Sequence, residues 1–359
     1  MKVFHLSHTD LDGYTCQFIA KEFFDDIVFF NANYGKEVSV RLDSILESIT
    51  SDLTQKLSTK FQLRKPLSYL ILITDLNLTL TESASLDKQV QDLREQGYEI
   101  DLILLDHHIS GQECANKYPW YFLDSTRCAT KITWEYLLEY YTLKIPAHQP
   151  WLHNLVEMTN SVDIWLEEGY NFEFGKVAMG MISASNELNR FMFDNEHRFY
   201  KFRLIESTKD YLNRENGAVE FDNALFCIKK QILGGDPYTQ TMDSITSQAQ
   251  VRLLQDKKQE CSIHFQDKLG FLSYSMGGIS VLANLFLHAN PEYDFYIDVN
   301  SKGNVSLRAN GNCDVSALSK EYFNGGGHKN ASGGKIEGFR ESFCYADIKK
   351  QVLQKLQIL

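Results

Sequence analysis

Five short apolar runs punctuate the first 190 residues: "KVFHLS" (2–7), "IVFFNANY" (27–34), "YLILITD" (69–75), "IDLILLD" (100–106) and "YFLD" (121–124). They lack clean alternation of apolar and polar residues, so they suit strands buried on both faces. Helix-compatible stretches such as "GYTCQFIAKEFF" and "ATKITWEYLLEYY" lie between or after them. The pattern predicts a parallel sheet in an α/β domain. Over 190–262 it is lost: "NEHRFYKFRLIESTKDYLNREN" and "SITSQAQVRLLQDKKQEC" are charged and helix-compatible, and the turn-rich "GGDPYTQ" (234–240) interrupts them. Strand-like order returns in "LGFLSYS" (269–275), "YDFYIDVN" (293–300) and "NVSLRAN" (304–310), among the helical "ISVLANLFLHA", "DVSALSKEYF" and "YADIKKQVLQKLQIL". With 359 residues the chain has room for two cores. The expected organisation is a parallel-sheet α/β domain over 1–190, a helical connector over 191–262, and a smaller α/β domain with a mixed sheet over 263–359.

The ends of the apolar runs carry the chemistry. "DLILLDHHIS" delivers Asp106, His107 and His108 from a strand. "HLSHTDLDG" puts His8, Asp10 and Asp12 after the first run, "YLILITD" ends in Asp75, and "MTNSVDIW" supplies Asp163. In open parallel sheets ligands bind outside the carboxyl ends of strands, so these residues can share one pocket. Oxygen ligands with one or two imidazoles favour manganese, magnesium or iron over a thiolate zinc site. A shared carboxylate makes the two-metal arrangement that activates water for phosphoryl displacement. Each piece alone has a plainer reading. A DxDG sequence is commonly a turn or helix cap, an Asp after a strand commonly an N-cap, and paired histidines a polar strand exit. His5 and His153 read as structural.

The second half offers "NGGGHKNASGG" (324–334), with five glycines in eleven residues. Such a loop lets free N–H groups of Gly325, Gly326 and Gly327 approach phosphate oxygens, with His328 and Lys329 as donors. Arg308 is a candidate bidentate phosphate clamp. A flexible turn and an exposed strand charge are the plainer readings. Phe295, Tyr296 and Tyr322 are conceivable base-stacking rings, although such positions are more often core.

Charge excludes some functions. The chain carries −11 in all; from Cys261 onward 10 Lys+Arg face 9 Asp+Glu, so the first 260 residues hold −12. An acidic chain is a poor tracker of long duplex, whose affinity rests on many phosphate neutralisations. Seven scattered cysteines without a CxxC spacing argue for reduced thiols in a cytoplasm. Neither a signal peptide nor a membrane-spanning run is expected from the sequence.

Taken together, "HTDLDG", the Asp75 strand end, "LLDHHIS", "NSVDIW" and "SLRANGNCDVSALSKEYFNGGGHKNASGG" resemble the motifs of the DHH phosphoesterase family with its C-terminal DHH-associated domain. The resemblance spans nearly the whole chain apart from 190–262. It implies a two-manganese centre, with magnesium or another divalent ion as the alternative, held by Asp10, Asp12, Asp75, His107 and Asp163. His108 is implied to face the substrate phosphate, and Arg308 with the loop around His328 to bind it. His8 ligates or supports the centre, since the sequence follows the HxDxDG branch rather than HxxPDxD. Asp106 ligates or orients the histidines. Family members include RecJ-like exonucleases, nanoRNases, cyclic-dinucleotide phosphodiesterases and bisphosphate nucleotidases. The expectation is a metal-dependent phosphodiesterase acting on short oligonucleotides or linear dinucleotides to release mononucleotides. Cyclic-dinucleotide hydrolysis, adenosine 3′,5′-bisphosphate hydrolysis and a non-hydrolytic nucleotide-binding regulator are the alternatives. Expected partners are short single strands or small nucleotides, with a homodimer as a family-level expectation.

Overall fold

The computed structural model describes residues 1–58 and 68–357, and the side chains at 52–58 lie outside that description. The last two residues of the terminal helical stretch, 358–359, are likewise outside it. Among the described residues the chain divides into two compact units, Met1–Ala184 with Lys201–Leu225, and Ser185–Tyr200 with Phe226–Leu359.

The first unit is built on a five-stranded, wholly parallel sheet: β1 (Lys2–Ser7), β2 (Ile27–Asn31), β3 (Ser68–Thr74), β4 (Glu99–Asp106) and β5 (Tyr121–Leu123). Each strand falls on one of the five apolar runs. Val, Ile, Leu and Phe dominate because a parallel sheet is covered on both faces. On one face Phe4, Leu6, Ile71, Ile73 and Leu104 pack with Ile45, Ile49, Leu86 and Val90 of the helices Lys36–Ser58 and Leu80–Glu95. The helices Leu11–Lys21 and Ala129–Tyr140 also contact the sheet. Strand order is β2-β1-β3-β4-β5. The order reverses between β1 and β3, which opens a crevice at their carboxyl ends.

The second unit holds a six-stranded mixed sheet in the order β10-β11-β9-β8-β7-β6: β6 (Ser262–Phe265), β7 (Lys268–Tyr274), β8 (Phe295–Val299), β9 (Asn304–Ala309), β10 (Gly326–His328) and β11 (Ala331–Lys335). Only β7 and β8 run parallel. One face packs Phe295, Ile297 and Leu307 with Val315, Leu318 and Val352. The other packs Phe271 and Tyr296 with Leu282, Phe286 and Ile348. Phe295 and Tyr296 are fully buried core, and Tyr322 packs edge-on against Phe265, so these rings serve packing.

Two expectations need restating. Residues 191–262 are helical as expected, but their apolar side chains enter both cores. Phe202 and Phe221 meet Phe18 and Phe174 in the first unit, while Met192, Phe193 and Leu254 join the core of the second. The stretch 324–334 is no loop: it forms the antiparallel hairpin β10–β11, in which Gly326 pairs with Gly333 and His328 with Ala331. The glycines serve its packing, since a Cβ on Gly325 would collide with the Gly333 carbonyl and Ser319 Oγ.

Candidate metal centre

The crevice beside β1 and β3 gathers the strand-end residues. Asp10 is the N-cap of Leu11–Lys21 and accepts the Gly13 N–H at 2.9 Å. Gly13 is required there because any Cβ would strike the His8 carbonyl. The cap reading and the cluster reading of Asp10 are therefore both true. His8 Nδ1 lies 2.8 Å from Asp10 Oδ2 and 3.7 Å from Asp75 Oδ2.

Asp12 is fixed from far along the chain. Its two oxygens accept the Ala129 and Thr130 backbone N–H groups, each at 2.8 Å. Those N–H groups open the helix Ala129–Tyr140, whose dipole favours an anion. Asp75 follows β3 with φ of 56° and its side chain is buried. A positive φ at a non-glycine residue costs energy and recurs at functional sites. Asp75 is not the cap of the next helix; Thr79 is, in a capping box with Glu82.

His107 stands at the centre. Its Nε2 lies 3.4 Å from Asp75 Oδ1, 3.6 Å from Asp163 Oδ2 and 3.8 Å from Asp12 Oδ2. Three groups of potential metal-ligating atoms result: His8, Asp10 and Asp75; Asp12, His107 and Asp163; and Asp75, His107 and His108, each within 4.8 Å. Asp75 and His107 each belong to two of them, so either is placed to be shared.

Electrostatics shows that this set fits a cation. Asp75 Oδ2 and Asp163 Oδ2 are buried with no hydrogen-bond partner among the described residues. Burial, then the charges of Asp10 and Asp12, push Asp75 well above the usual carboxylate range. Burial and the same two neighbours raise Asp163 to about 9. Burial opposes the charge on Asp10 too, but the hydrogen bond and charge of His8 override it and hold Asp10 down at about 2. Burial lowers His107 despite Asp12, favouring the neutral imidazole that ligates metals. Crowded carboxylates around a neutral imidazole, with orphaned oxygens, are the donor set for one or more hard divalent ions.

Asp106 stands outside those groups. Its Oδ1 lies 2.7 Å from His108 Nδ1 and its Oδ2 accepts the Tyr121 hydroxyl at 3.0 Å. With both oxygens occupied and the side chain fully buried, Asp106 orients His108. Burial works against a charged His108, yet the Asp106 hydrogen bond and charge raise its pKa. His108 Nε2 lies 2.8 Å from the Tyr34 hydroxyl, and the Tyr34 ring packs 4.7 Å from that of His8. The sequence reading missed Tyr34 and Tyr121. Tyr34 was findable, because "NANYGK" leaves the carboxyl end of β2 just as the other site residues leave theirs. His5 is structural as expected, hydrogen-bonded to Thr74 at 2.8 Å, and His153 is exposed.

The remaining candidates lie in the second unit. Arg308 on β9 donates to Ser280 Oγ at 2.7 Å and to the Leu307 carbonyl at 2.8 Å. Register aligns Arg308, Ala331 and His328 across β9, β11 and β10, so their side chains share a face. Gly326, Gly327, His328 and Lys329 are exposed, and the Lys329 carbonyl accepts the Val315 N–H at 3.0 Å.

No family model matches the chain. A Helicobacter pylori (strain ATCC 700392 / 26695) protein called 3′,5′-cyclic-nucleotide phosphodiesterase is 58% identical over 352 residues, 98% of each chain. The crystal structure of an uncharacterized protein from Helicobacter pylori G27 superposes with a TM-score of 0.90, at 58% identity over 99% of both chains. RecJ from Thermus thermophilus, in complex with Mn2+, aligns with the whole chain and 52% of its own length at 15% identity, with a TM-score of 0.28 too low to argue from. Among the described residues no helix is long and apolar enough to cross a membrane. With the motifs, the strand-end cluster and a relative matched over nearly its full length, the chain belongs to the DHH phosphoesterase family, and its activity is that of a phosphodiesterase.

Proposed function

We propose that this phosphodiesterase is metal-dependent, holds two Mn2+ ions and opens the 3′,5′-phosphodiester of small nucleotides. The observation that carries the reading is the crowding of Asp10, Asp12, Asp75 and Asp163 around His107 with orphaned oxygens at the sheet's switch point. His8, Asp10 and Asp75 would hold one ion, and Asp12, His107 and Asp163 the other, with Asp75 shared. The ions would supply Lewis-acid charge to a phosphoryl oxygen and to the attacking water. The chain's own residues do the rest. The Gly13, Ala129 and Thr130 N–H groups hold Asp10 and Asp12 in place. Asp106 fixes His108 so that its Nε2 can give a proton to the departing oxygen. In the second unit, Arg308 and His328 are the candidate phosphate-binding side chains.

Cyclic 3′,5′-nucleotides come first as substrates, supported by the name of the relative identical at 58% of positions. Short oligonucleotides and linear dinucleotides come second, supported by the family motifs of the chain. Seven free cysteines support a cytoplasmic setting for this activity. The test is product analysis with Mn2+ and with a chelator. It compares 3′,5′-cyclic AMP and GMP, RNA of two to seven nucleotides, a cyclic dinucleotide and adenosine 3′,5′-bisphosphate. Mn2+-dependent opening of cyclic mononucleotides is expected. Mononucleotide release from RNA alone would move the substrate to linear diesters, and no turnover of any of them would end the reading.

A further inference from the structure

A nucleotide brings a base as well as a phosphate, and an exposed aromatic ring suits it because every base has a π-face. Phe295, Tyr296 and Tyr322 do not offer that ring: the first two are buried core and the third packs on Phe265. Tyr34 does. It follows the carboxyl end of β2, the strand beside β1, and is 45% exposed. Ligands bind at the carboxyl ends of strands near such a switch point. Trp165 is more exposed still and lies two residues after Asp163, but its ring meets Phe172 and its Nε1 donates to Glu167. Tyr34 touches the centre itself.

The ring is held on several sides. Its centroid lies 4.7 Å from that of His8, with the two planes tilted by 42°. It stands edge-on to His108 at 5.5 Å, and its hydroxyl lies 2.8 Å from Nε2 and 3.5 Å from Nδ1 of that imidazole. The backbone before it is tied down too. Asn33 N–H donates to Glu37 Oε2 at 2.9 Å, and the Thr9 hydroxyl donates to Asn33 Oδ1. Thr9 lies between His8 and Asp10, so the turn that carries Tyr34 is joined to the turn that carries two residues of the centre. A ring fixed in this way loses little freedom when a ligand packs on its open part. His8 belongs to the group with Asp10 and Asp75, and His108 to the group with Asp75 and His107. Tyr34 touches a member of each, so it lies beside a phosphate bound at either. The base of a nucleotide is one sugar away from that phosphate. We infer that the base of the bound nucleotide stacks on Tyr34, and that this contact selects nucleotides over phosphoesters that carry no base.

This role for Tyr34 rests on the reading of the centre as a phosphoester site, and the two can fail separately. Calorimetry on the full-length chain with Mn2+ compares AMP with ribose 5-phosphate, which has the same phosphate and no base. The wild type should favour AMP by about 5- to 150-fold, the value of one base–aromatic stack. Tyr34→Leu should lose that preference, whereas Tyr34→Phe keeps the ring and should retain it. A ring that served only to hold His8 and His108 would weaken both ligands alike, so an unchanged preference in Tyr34→Leu overturns the inference. So does a wild type that binds the two equally, or binds neither. In the hydrolysis of 3′,5′-cyclic AMP the loss in Tyr34→Leu should fall mainly on KM, and an unchanged KM overturns the inference as well. If cyclic AMP is not hydrolysed yet AMP is preferred through Tyr34, the proposed substrate falls and the base site stands. Should Tyr34→Leu fail to fold, Tyr34→Asn decides by the same comparison, since turns accept asparagine.

Discussion

Two buried aspartates of the centre, alike in type, should answer mutation oppositely. Asp12 accepts two backbone N–H groups, whereas Asp75 is crowded by like charges and left with an orphaned oxygen. Asp75→Asn puts a neutral amide where burial and like-charged neighbours disfavour a carboxylate, so the metal-free Tm should hold or rise while turnover falls by roughly a thousandfold or more. Asp12→Ala strands two N–H groups and should cost about 1–3 kcal/mol of stability for each. Thermal melts of both variants, with activity alongside, decide the matter; a destabilised Asp75→Asn would make Asp75 structural. Asp106→Asn takes from His108 the partner that raises its pKa. If His108 gives a proton to the departing oxygen, activity falls above the His108 pKa, so the alkaline limb of the kcat/KM profile should move to lower pH. An unmoved limb would remove His108 from that role. At this scale the sequence was legible wherever a residue ends a strand, because strand ends of a parallel sheet converge whatever lies between them. It was silent on what holds Asp12, whose partners lie 117 and 118 residues away, and on the tie from Tyr121 to Asp106.

Elements were read best where one strong pattern acts alone. All five strands of the first sheet sit on apolar runs, since burial on both faces leaves few other residue types. β10 and β11 escaped because "GGH" and "ASGGK" carry almost no β-propensity, and their pairing comes from packing on the helix Val315–Tyr322. Close approach rather than propensity also governs Gly13 in the helix Leu11–Lys21. Ala is favoured over Gly inside a helix by about 1 kcal/mol, so Gly13→Ala should stabilise if propensity decides. The new methyl would instead meet the His8 carbonyl, and moving that backbone shifts both His8 and Asp10. We expect Gly13→Ala to lower Tm by several degrees and to weaken Mn2+ binding. A variant as stable as the wild type, with unchanged metal affinity, would show that the turn after β1 has slack.

At the scale of the whole molecule, the sequence told of an acidic chain with an uneven charge, and the structure shows where part of that acidity is concentrated without compensation. Residues 1–260 carry −12, and Asp75 and Asp163 have raised pKa values in the metal-free fold. The direction of the pH effect follows. A folded-state pKa of about 9 against an ordinary 3.8 means that folded Asp163 holds a proton the unfolded chain has lost, so stability declines as pH rises between those values. Asp75 acts in the same sense. Asp10 acts in the opposite sense, but its stabilisation is complete above its ordinary pKa and is lost only as pH falls toward 2, outside this window. From pH 5 to 8.5 the metal-free protein should therefore lose stability from its centre. A divalent cation replaces the lost protons and stabilises by mass action, about 2.7 kcal/mol at a hundredfold excess over Kd. The gain in Tm on adding Mn2+ should consequently grow with pH, while the metal-free Tm drifts down. Asp163→Asn removes one of the raised carboxylates, so its metal-free Tm should depend less on pH and its gain from Mn2+ should shrink. A Tm gain independent of pH, or the same in Asp163→Asn as in the wild type, would mean that the cation stabilises the chain somewhere other than this centre.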